Sequence, residues 1–346
     1  MIDLLINGQL KDGDNLPLEI EFVALLQVSL QGEVLMDYSI LFLTIMKLGI
    51  LIGIGMLLTF KINFTSDVRR FLIFVIINIA LPAIILNGFF QITIDSTLLR
   101  QIIFIFFFSI AFNLIGLLIG WFYGKSVGMS ALKARETGFL ATFGNTGLIG
   151  IPLCAALFGA KGAVFAAVFD AGMSLMLWTV GVLFIQGKKD VSLKNFLSML
   201  TAPNIAVLVG LLVTVFSINP GFFIKDIIAT VSGAASPLAM FYIGMLTMTI
   251  IKERRRVSAK LVATPVTFKL IIFPIIGMFV LMLLPVTQEL KQVLLIEMAM
   301  PSITTASIIF AMYQADEDYS LMHTLCSTVF AIVTIPFIAL IGTLFL

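Results

Sequence analysis

The sequence predicts an all-α integral membrane protein of about ten crossings, arranged as two inverted halves of five helices. Three observations predict it. The chain is 60% hydrophobic and 12% charged, whereas soluble domains carry about 25% charged residues. Basic residues alternate between several and one along successive connecting segments. Two apolar stretches, at comparable places in the two halves, carry proline and polar residues at their centres.

The apolar stretches run over 39–59, 72–90, 101–123, 137–158, 163–186, 199–217, 227–250, 262–284, 289–312 and 321–345. Each has roughly the 20 residues that cross a hydrocarbon core. The links near residues 160 and 315 are very short. Residues 1–38 stand apart. Their stretch 18–36 is partly apolar but holds Glu19, Glu21, Gln27, Gln31 and Glu33, which suits an external interfacial helix better than an eleventh crossing. The expected organisation is an external extension over 1–38, a first five-helix repeat over 39–186 and a second over 199–345.

The connecting segments test this count. The first eight carry 3, 1, 3, 1, 3, 1, 5 and 1 lysines and arginines. The positive-inside rule then makes the odd segments cytoplasmic and both termini external. A miscounted helix would break the alternation. The ninth segment, with Asp316, Glu317 and Asp318, has no basic residue. The halves also echo each other in sequence: LPAIIL at 81–86 resembles SPLAMF at 236–241, and the proline region of the fourth span is matched by MPSITTAS at 300–307. An odd number of helices per half inverts the second half in the membrane.

Several functions are disfavoured. No basic tract interleaved with aromatics supports nucleic-acid binding. Cys154 and Cys326 lie in apolar spans and suggest no disulfide framework. With one histidine and no His-Glu-x-x-His, an intramembrane metalloenzyme is the weakest reading, and no metal or cofactor is expected. No GxxxxGK[ST] loop exists to drive a pump. The N-terminus, MIDLLINGQLKDGDN, lacks the basic start and long apolar core of a cleavable signal.

The fourth span holds the most informative stretch, GNTGLIGIP at 144–152. Gly144, Gly147 and Gly150 weaken a helix, and Pro152 removes a backbone donor. Carbonyls freed at membrane depth are tolerated where protein or a water-filled cavity satisfies them. A broken helix with polar residues at the break therefore points to a transport site, with a packing kink as the plainer alternative. The ninth span repeats the theme with Pro301, Ser302, Thr304 and Thr305.

These residues resemble the auxin efflux carrier family. The matching segments are LPA at 81–83, FGNTGLIGIPL at 143–153, FGAKG at 158–162 and Asp170, followed by APN at 202–204, SPLAMFYIG at 236–244 and AMPS at 299–302. The resemblance covers about residues 40–346, and 143–170 is its specific part. It implies ten helices in two inverted repeats, with helices 4 and 9 broken and crossing near the midplane. It also implies a homodimer in the cell membrane that carries small organic anions, such as dicarboxylates or auxin-like carboxylates, by alternating access. The short central segment 187–197 looks bacterial, since plant exporters often carry a long one there.

On this reading Pro152 and Pro301 open the second halves of the broken helices, as proline suits a first helical position. The half-helices would aim free N–H groups and partial positive charge at a carboxylate. The expected substrate-binding residues are Asn145, Thr146, Gly147, Pro152, Pro301, Ser302, Thr304 and Thr305, with Asn145 the strongest candidate because its amide both donates and accepts. Lys47, Asp170, Lys269 and Glu297 are ionisable residues within spans, hence candidates for a charge pair or for proton or sodium coupling. Either lysine has the length to snorkel to an interface instead. His323 reads as a packing or interface residue. The rival function is a sodium-coupled organic-anion symporter resembling the bile-acid carriers. The partners expected are the organic anion, membrane lipid and a second copy, with no nucleic acid.

Overall fold

The computed structural model describes residues 38–93, 95–186, 197–198, 200–253 and 259–346. The chain divides into two compact units, Met1–Ile45 and Met46–Leu346. Of the first, only the start of a helix from Tyr38 is described. The interfacial helix expected over 18–36 and nearly all of segment 187–197 lie outside the described residues. Among those described, every regular element is helical and no strand is present; one isolated antiparallel bridge is the exception to helix.

In chain order the helices are α1 Tyr38–Leu58, α2 Ser66–Gln91 and α3 Ser96–Ser126, then α4 Ala131–Thr142. There follow α5 Thr146–Gln186, α6 Ala202–Val215, and α7 Phe222–Thr249 and α8 Val262–Met282. The last are α9 Gln288–Met298, α10 Ala306–Met312 and α11 Glu317–Phe345. Six of them, α2, α3, α5, α7, α8 and α11, are long and apolar enough to cross a membrane. Large apolar side chains stand exposed along their outer faces, among them Phe107, Phe122, Phe223 and Phe337. In water such a surface would be a liability; in lipid it is the solvated face.

Five helices that start at connecting segments take a cap from their own flanking residue, whereas α7 and α9 start without one at Gly221 and Thr287. Thr65, Asp95, Ser130, Thr201 and Asp316 each accept a backbone N–H from the first turn that follows. The two that start inside the protein, α5 and α10, have no such cap from Asn145 or Thr305. Their first turns must be satisfied from elsewhere.

Prolines sit within five of the long helices without ending them, and three of these prolines, Pro82, Pro152 and Pro274, share one device. A widened π-turn precedes each at the same offset: Ile76–Ala80 before Pro82, Thr146–Gly150 before Pro152, and Phe268–Ile272 before Pro274. A proline ring clashes with the carbonyl one turn back, and the extra residue of a π-turn makes room for it. The run α5 consists of two helices that meet at Gly159, between the stretches expected as the fourth and fifth spans. There φ is +63° and ψ −147°, a conformation that only glycine adopts readily. Nearby, α1 and α7 cross with backbones in contact. A Cβ on Gly244 would lie 2.0 Å from the Ile52 carbonyl oxygen.

Hydrogen bonds tie odd connecting segments to odd and even to even. Lys252 Nζ donates to the Thr59 carbonyl at 3.0 Å, and Lys133 is bonded to Asp316. On the even set Lys161 Nζ lies 3.1 Å from Glu289 Oε2, and Gln101 Nε2 donates to Thr287 Oγ1 at 3.3 Å.

Candidate functional site

Two helices end in the buried interior and resume a few residues later. α4 stops at Thr142 and α5 begins at Thr146; α9 stops at Met298 and α10 begins at Ala306. The gaps pair side by side. Gly144 and Ser302 form an antiparallel bridge. The Asn145 N–H donates to the Pro301 carbonyl at 2.7 Å, and the Ile303 N–H donates to the Phe143 carbonyl at 3.0 Å. Backbone groups freed by one break thus satisfy those freed by the other, as a low-dielectric interior demands.

Charges of matching sign flank the first gap. Lys269 on α8, 1% exposed, donates from Nζ to the Thr142 carbonyl at 2.8 Å, at the C-terminal end of α4. Asp170 on α5 accepts from Thr146 Oγ1 at 2.5 Å and from the Gly147 N–H, at the N-terminal end of the same helix. A helix favours a cation at its C-terminus and an anion at its N-terminus, so each charge sits where it stabilises.

Glu297 does not fit that pattern. It lies in the last turn of α9, the end that disfavours an anion, and is 1% exposed. Its Oε1 accepts from Cys154 Sγ at 3.3 Å, and its Oε2 has no hydrogen-bond partner. It lies within electrostatic range of both Asp170 and Lys269. One lysine therefore faces two carboxylates. Gly150 makes room for this acid: a Cβ there would fall 2.5 Å from both carboxylate oxygens.

The second gap is held from behind. Ser302 Oγ donates to the Leu140 carbonyl at 2.6 Å and lies 2.9 Å from His323 Nδ1. The hydroxyl has one hydrogen, so a bond to each partner requires Nδ1 to donate, and the Pro265 carbonyl is a second acceptor for the ring. The Ser302 N–H donates to Ser327 Oγ at 3.1 Å, and Thr324 Oγ1 reaches the Ile303 carbonyl at 3.4 Å.

The structure distributes the expected site residues unequally. Asn145 is buried beside the paired gaps, and its Nδ2 has no partner. Thr146 and Gly147 serve Asp170, so the chain's own carboxylate occupies the N-terminus that the sequence reading offered to a substrate. The Ser302 hydroxyl is consumed by the lock behind it. Pro152 does not open the second half of its helix: that half begins six residues earlier at Thr146, and the π-turn absorbs the ring. Its carbonyl accepts from Ser236 Oγ at 2.8 Å. Pro301 likewise lies within the gap, ahead of α10, and accepts from Asn145. Lys47 is exposed on α1, whereas Lys269 is buried and does not snorkel.

Two clefts approach this core. A cavity of about 440 Å³ is lined by Arg69 and Arg70 of α2, Thr249 of α7, and Thr304, Thr305 and Ser307 at the start of α10. A smaller one, about 250 Å³, lies between Asn87 and Gln91 of α2, Ala155 and Ala160 of α5, and Ser232 and Ser236 of α7. The sequence reading used Arg69 and Arg70 only as topology markers, and took His323 for packing. No spacing rule connects either to the gaps, which meet only in three dimensions.

At the surface, Lys133 bonds both Glu136 and Asp316, and the Asp316 N–H donates to Glu136 Oε1 at 2.9 Å. Partial burial raises the Asp316 pKa, but the Lys133 hydrogen bond and the Tyr319 N–H outweigh it and hold the carboxyl below the usual range.

The sequence matches a family model described as "Membrane transport protein" over residues 40–197 and 189–339. The chain belongs to this family, that of the auxin efflux carriers. The family is one of membrane transporters. An uncharacterized transporter of Methanothermobacter thermautotrophicus is 25% identical over 265 residues, covering 76% of this chain and 85% of that relative. A second, from Methanocaldococcus jannaschii, is 25% identical over 229 residues, covering 63% of this chain and 72% of that relative. The carrier family accounts for a polar, paired break inside an otherwise apolar bundle: a membrane transporter needs a polar centre.

Proposed function

We propose that this family member is a secondary carrier of small organic anions, built as two inverted five-helix repeats and working by alternating access. The repeats are α1–α5 and α6–α11, with α4 and the first part of α5 as one broken span and α9 with α10 as the other. The observation that carries the reading is the pairing of the two gaps through Asn145 and Pro301, beside a buried amide nitrogen with no partner. A substrate carboxylate or hydroxyl would complete that nitrogen, relieving a cost of about 1–3 kcal/mol.

The following bonds support a division into two bodies, which the Ser236–Pro152 bond spans. Lys133 with Asp316, Lys161 with Glu289, and Lys269 with Thr142 all join α3–α5 to α8–α11. Lys252 with Thr59 joins α7 to the end of α1, and Thr214 Oγ1 with Phe89 joins α6 to α2. Helices α1, α2, α6 and α7 would form a dimerising scaffold in the cell membrane. The remaining helices would move against it, carrying the gaps. Positive-inside topology makes the odd connecting segments cytoplasmic and the termini external.

Cation coupling is the second reading, favoured by one observation: two buried carboxylates face one buried lysine, and Glu297 Oε2 is unpaired. A proton or a sodium ion would balance the excess. The test of both is counterflow in proteoliposomes with labelled malate, malonate, indole acetate and a bile acid, with and without imposed proton and sodium gradients. Saturable counterflow of a carboxylate supports the carrier reading, and its complete absence across the panel overturns it. Loss of the gradient response in Glu297→Gln with exchange retained supports coupling there; an unchanged response removes Glu297 from that role.

A further inference from the structure

We infer that the Arg69–Arg70 cavity is an anion-capture site, distinct from the paired gaps, where a carboxylate substrate docks before reaching them. The inference rests on the carrier reading above and adds a second station to it. Arg69 and Arg70 line the cavity together with the hydroxyl residues Thr304, Thr305 and Ser307, which belong to the second gap and the start of α10. A neighbouring cavity of about 320 Å³ shares Phe64, Thr65 and Thr249 with it and adds Lys252. No carboxylate lines either cavity, and neither arginine forms an ion pair among the described residues. Asp67 shares the helical turn but lines neither space.

Local structure gives Arg69 one neutral partner, the Tyr242 hydroxyl, and gives neither arginine a countercharge among the described residues. They lie in the first turns of α2, where the helix dipole disfavours cations. Arg69 is half-buried and within electrostatic range of the buried Tyr242 hydroxyl, a neutral group. An uncompensated basic lining in a cleft with low-dielectric walls concentrates small anions. Its volume is that of ordinary small-ligand sites, and aliphatic walls, including Ile73, Leu246 and Leu325, leave space for an apolar body behind the charge. One wall is α2 and α7; the other is α10 and α11. A docked anion would therefore bridge the two bodies whose relative movement transport requires. The same phosphate-like chemistry would suit an anionic lipid headgroup, so the test separates the two.

Thr305→Cys, in a Cys326→Ala background, places a thiol on the cavity wall. Its modification by anionic sulfonatoethyl methanethiosulfonate is compared with that by the cationic trimethylammonium analogue, each normalised to a free thiol. The anionic reagent should be favoured about tenfold, and Arg69→Gln with Arg70→Gln should abolish the preference while Arg69→Lys with Arg70→Lys keeps it. Malonate or indole acetate should slow modification in phosphatidylcholine nanodiscs. Absence of anionic preference overturns the electropositive site. Preference without protection by either carboxylate overturns capture, and so does protection that comes only from added phosphatidylglycerol, which gives the cavity to lipid. Reagent preference is read without transport, so failure of the carrier reading in counterflow remains distinguishable.

Discussion

Gly150 and Glu297 are in mutual contact so close that no side chain fits between them: a Cβ on Gly150 would lie 2.5 Å from both carboxylate oxygens. Gly150 has ordinary helical angles, φ −64° and ψ −52°, so its glycine is required by space and not by conformation. Gly150→Ala should displace the carboxylate, which is the movable end of a flexible side chain, at a cost of about 1 kcal/mol, the low end for overpacking an interior. Glu297→Ala in the same chain should restore most of it, because the two sites share one contact. Thermal unfolding in detergent measures the cycle; simple additivity of the two changes would contradict the contact.

Lys269 is the only cation bonded to the first gap among the described residues. Lys269→Met should leave Asp170 and Glu297 facing each other uncompensated, and the loss expected for breaking a buried charge cluster is about 3–5 kcal/mol. Glu297→Gln should rescue part of it by removing one of the excess charges. Expression and thermal stability of the single and double variants report this, and a stable single variant would show that the carboxylates are neutral in its absence.

The Lys133–Asp316 tie gives a pH dependence with a definite sign. The Asp316 pKa is held below the usual carboxylate range, so its stabilising contribution is complete above that range and is lost as pH falls through the depressed value. The wild type should therefore lose stability on acidification by an increment absent from Asp316→Asn. Asparagine keeps the N-cap acceptor that Tyr319 uses, so the variant isolates the charge. Identical acid profiles would contradict the assignment.

Much of the helical layout was legible in the sequence because hydrophobic length and loop charge report it directly. The helices overlap the predicted apolar stretches, although α2 and α4 start six residues ahead of theirs; α4 and α9 end, and α5 and α10 begin, where polar residues interrupt the stretches. The positions of the breaks were less legible. Proline was read as the start of each half-helix, but Pro152 is carried inside α5 by the π-turn that Pro82 and Pro274 also use, a device with no clear composition mark. The pairing of Asn145 with Pro301 depends on residues far apart in the chain, and so do the bonds from Lys269 to Thr142 and from His323 to Ser302. Sequence identified these side chains as polar in an apolar setting and left open which of them meet.

The alternation of basic residues along the connecting segments predicts a sidedness. Single cysteines at Lys61 and Phe222, both exposed, should label from opposite faces with a membrane-impermeant maleimide, position 222 from outside intact cells. Equal labelling of both from outside would contradict the crossing count.

The most direct test of the central claim is carboxylate binding by purified, folded Asn145 variants. The unpaired Nδ2 of Asn145, buried beside the paired gaps, is the proposed substrate contact. Asn145→Ala should weaken binding by about 1–3 kcal/mol, the value of one hydrogen bond to a buried charge. Asn145→Asp should weaken it further by adding a like charge beside the bound carboxylate. Titration calorimetry with the carboxylate that gives the strongest counterflow measures both. Graded loss in that order is the predicted result; wild-type affinity in both variants would place the substrate elsewhere.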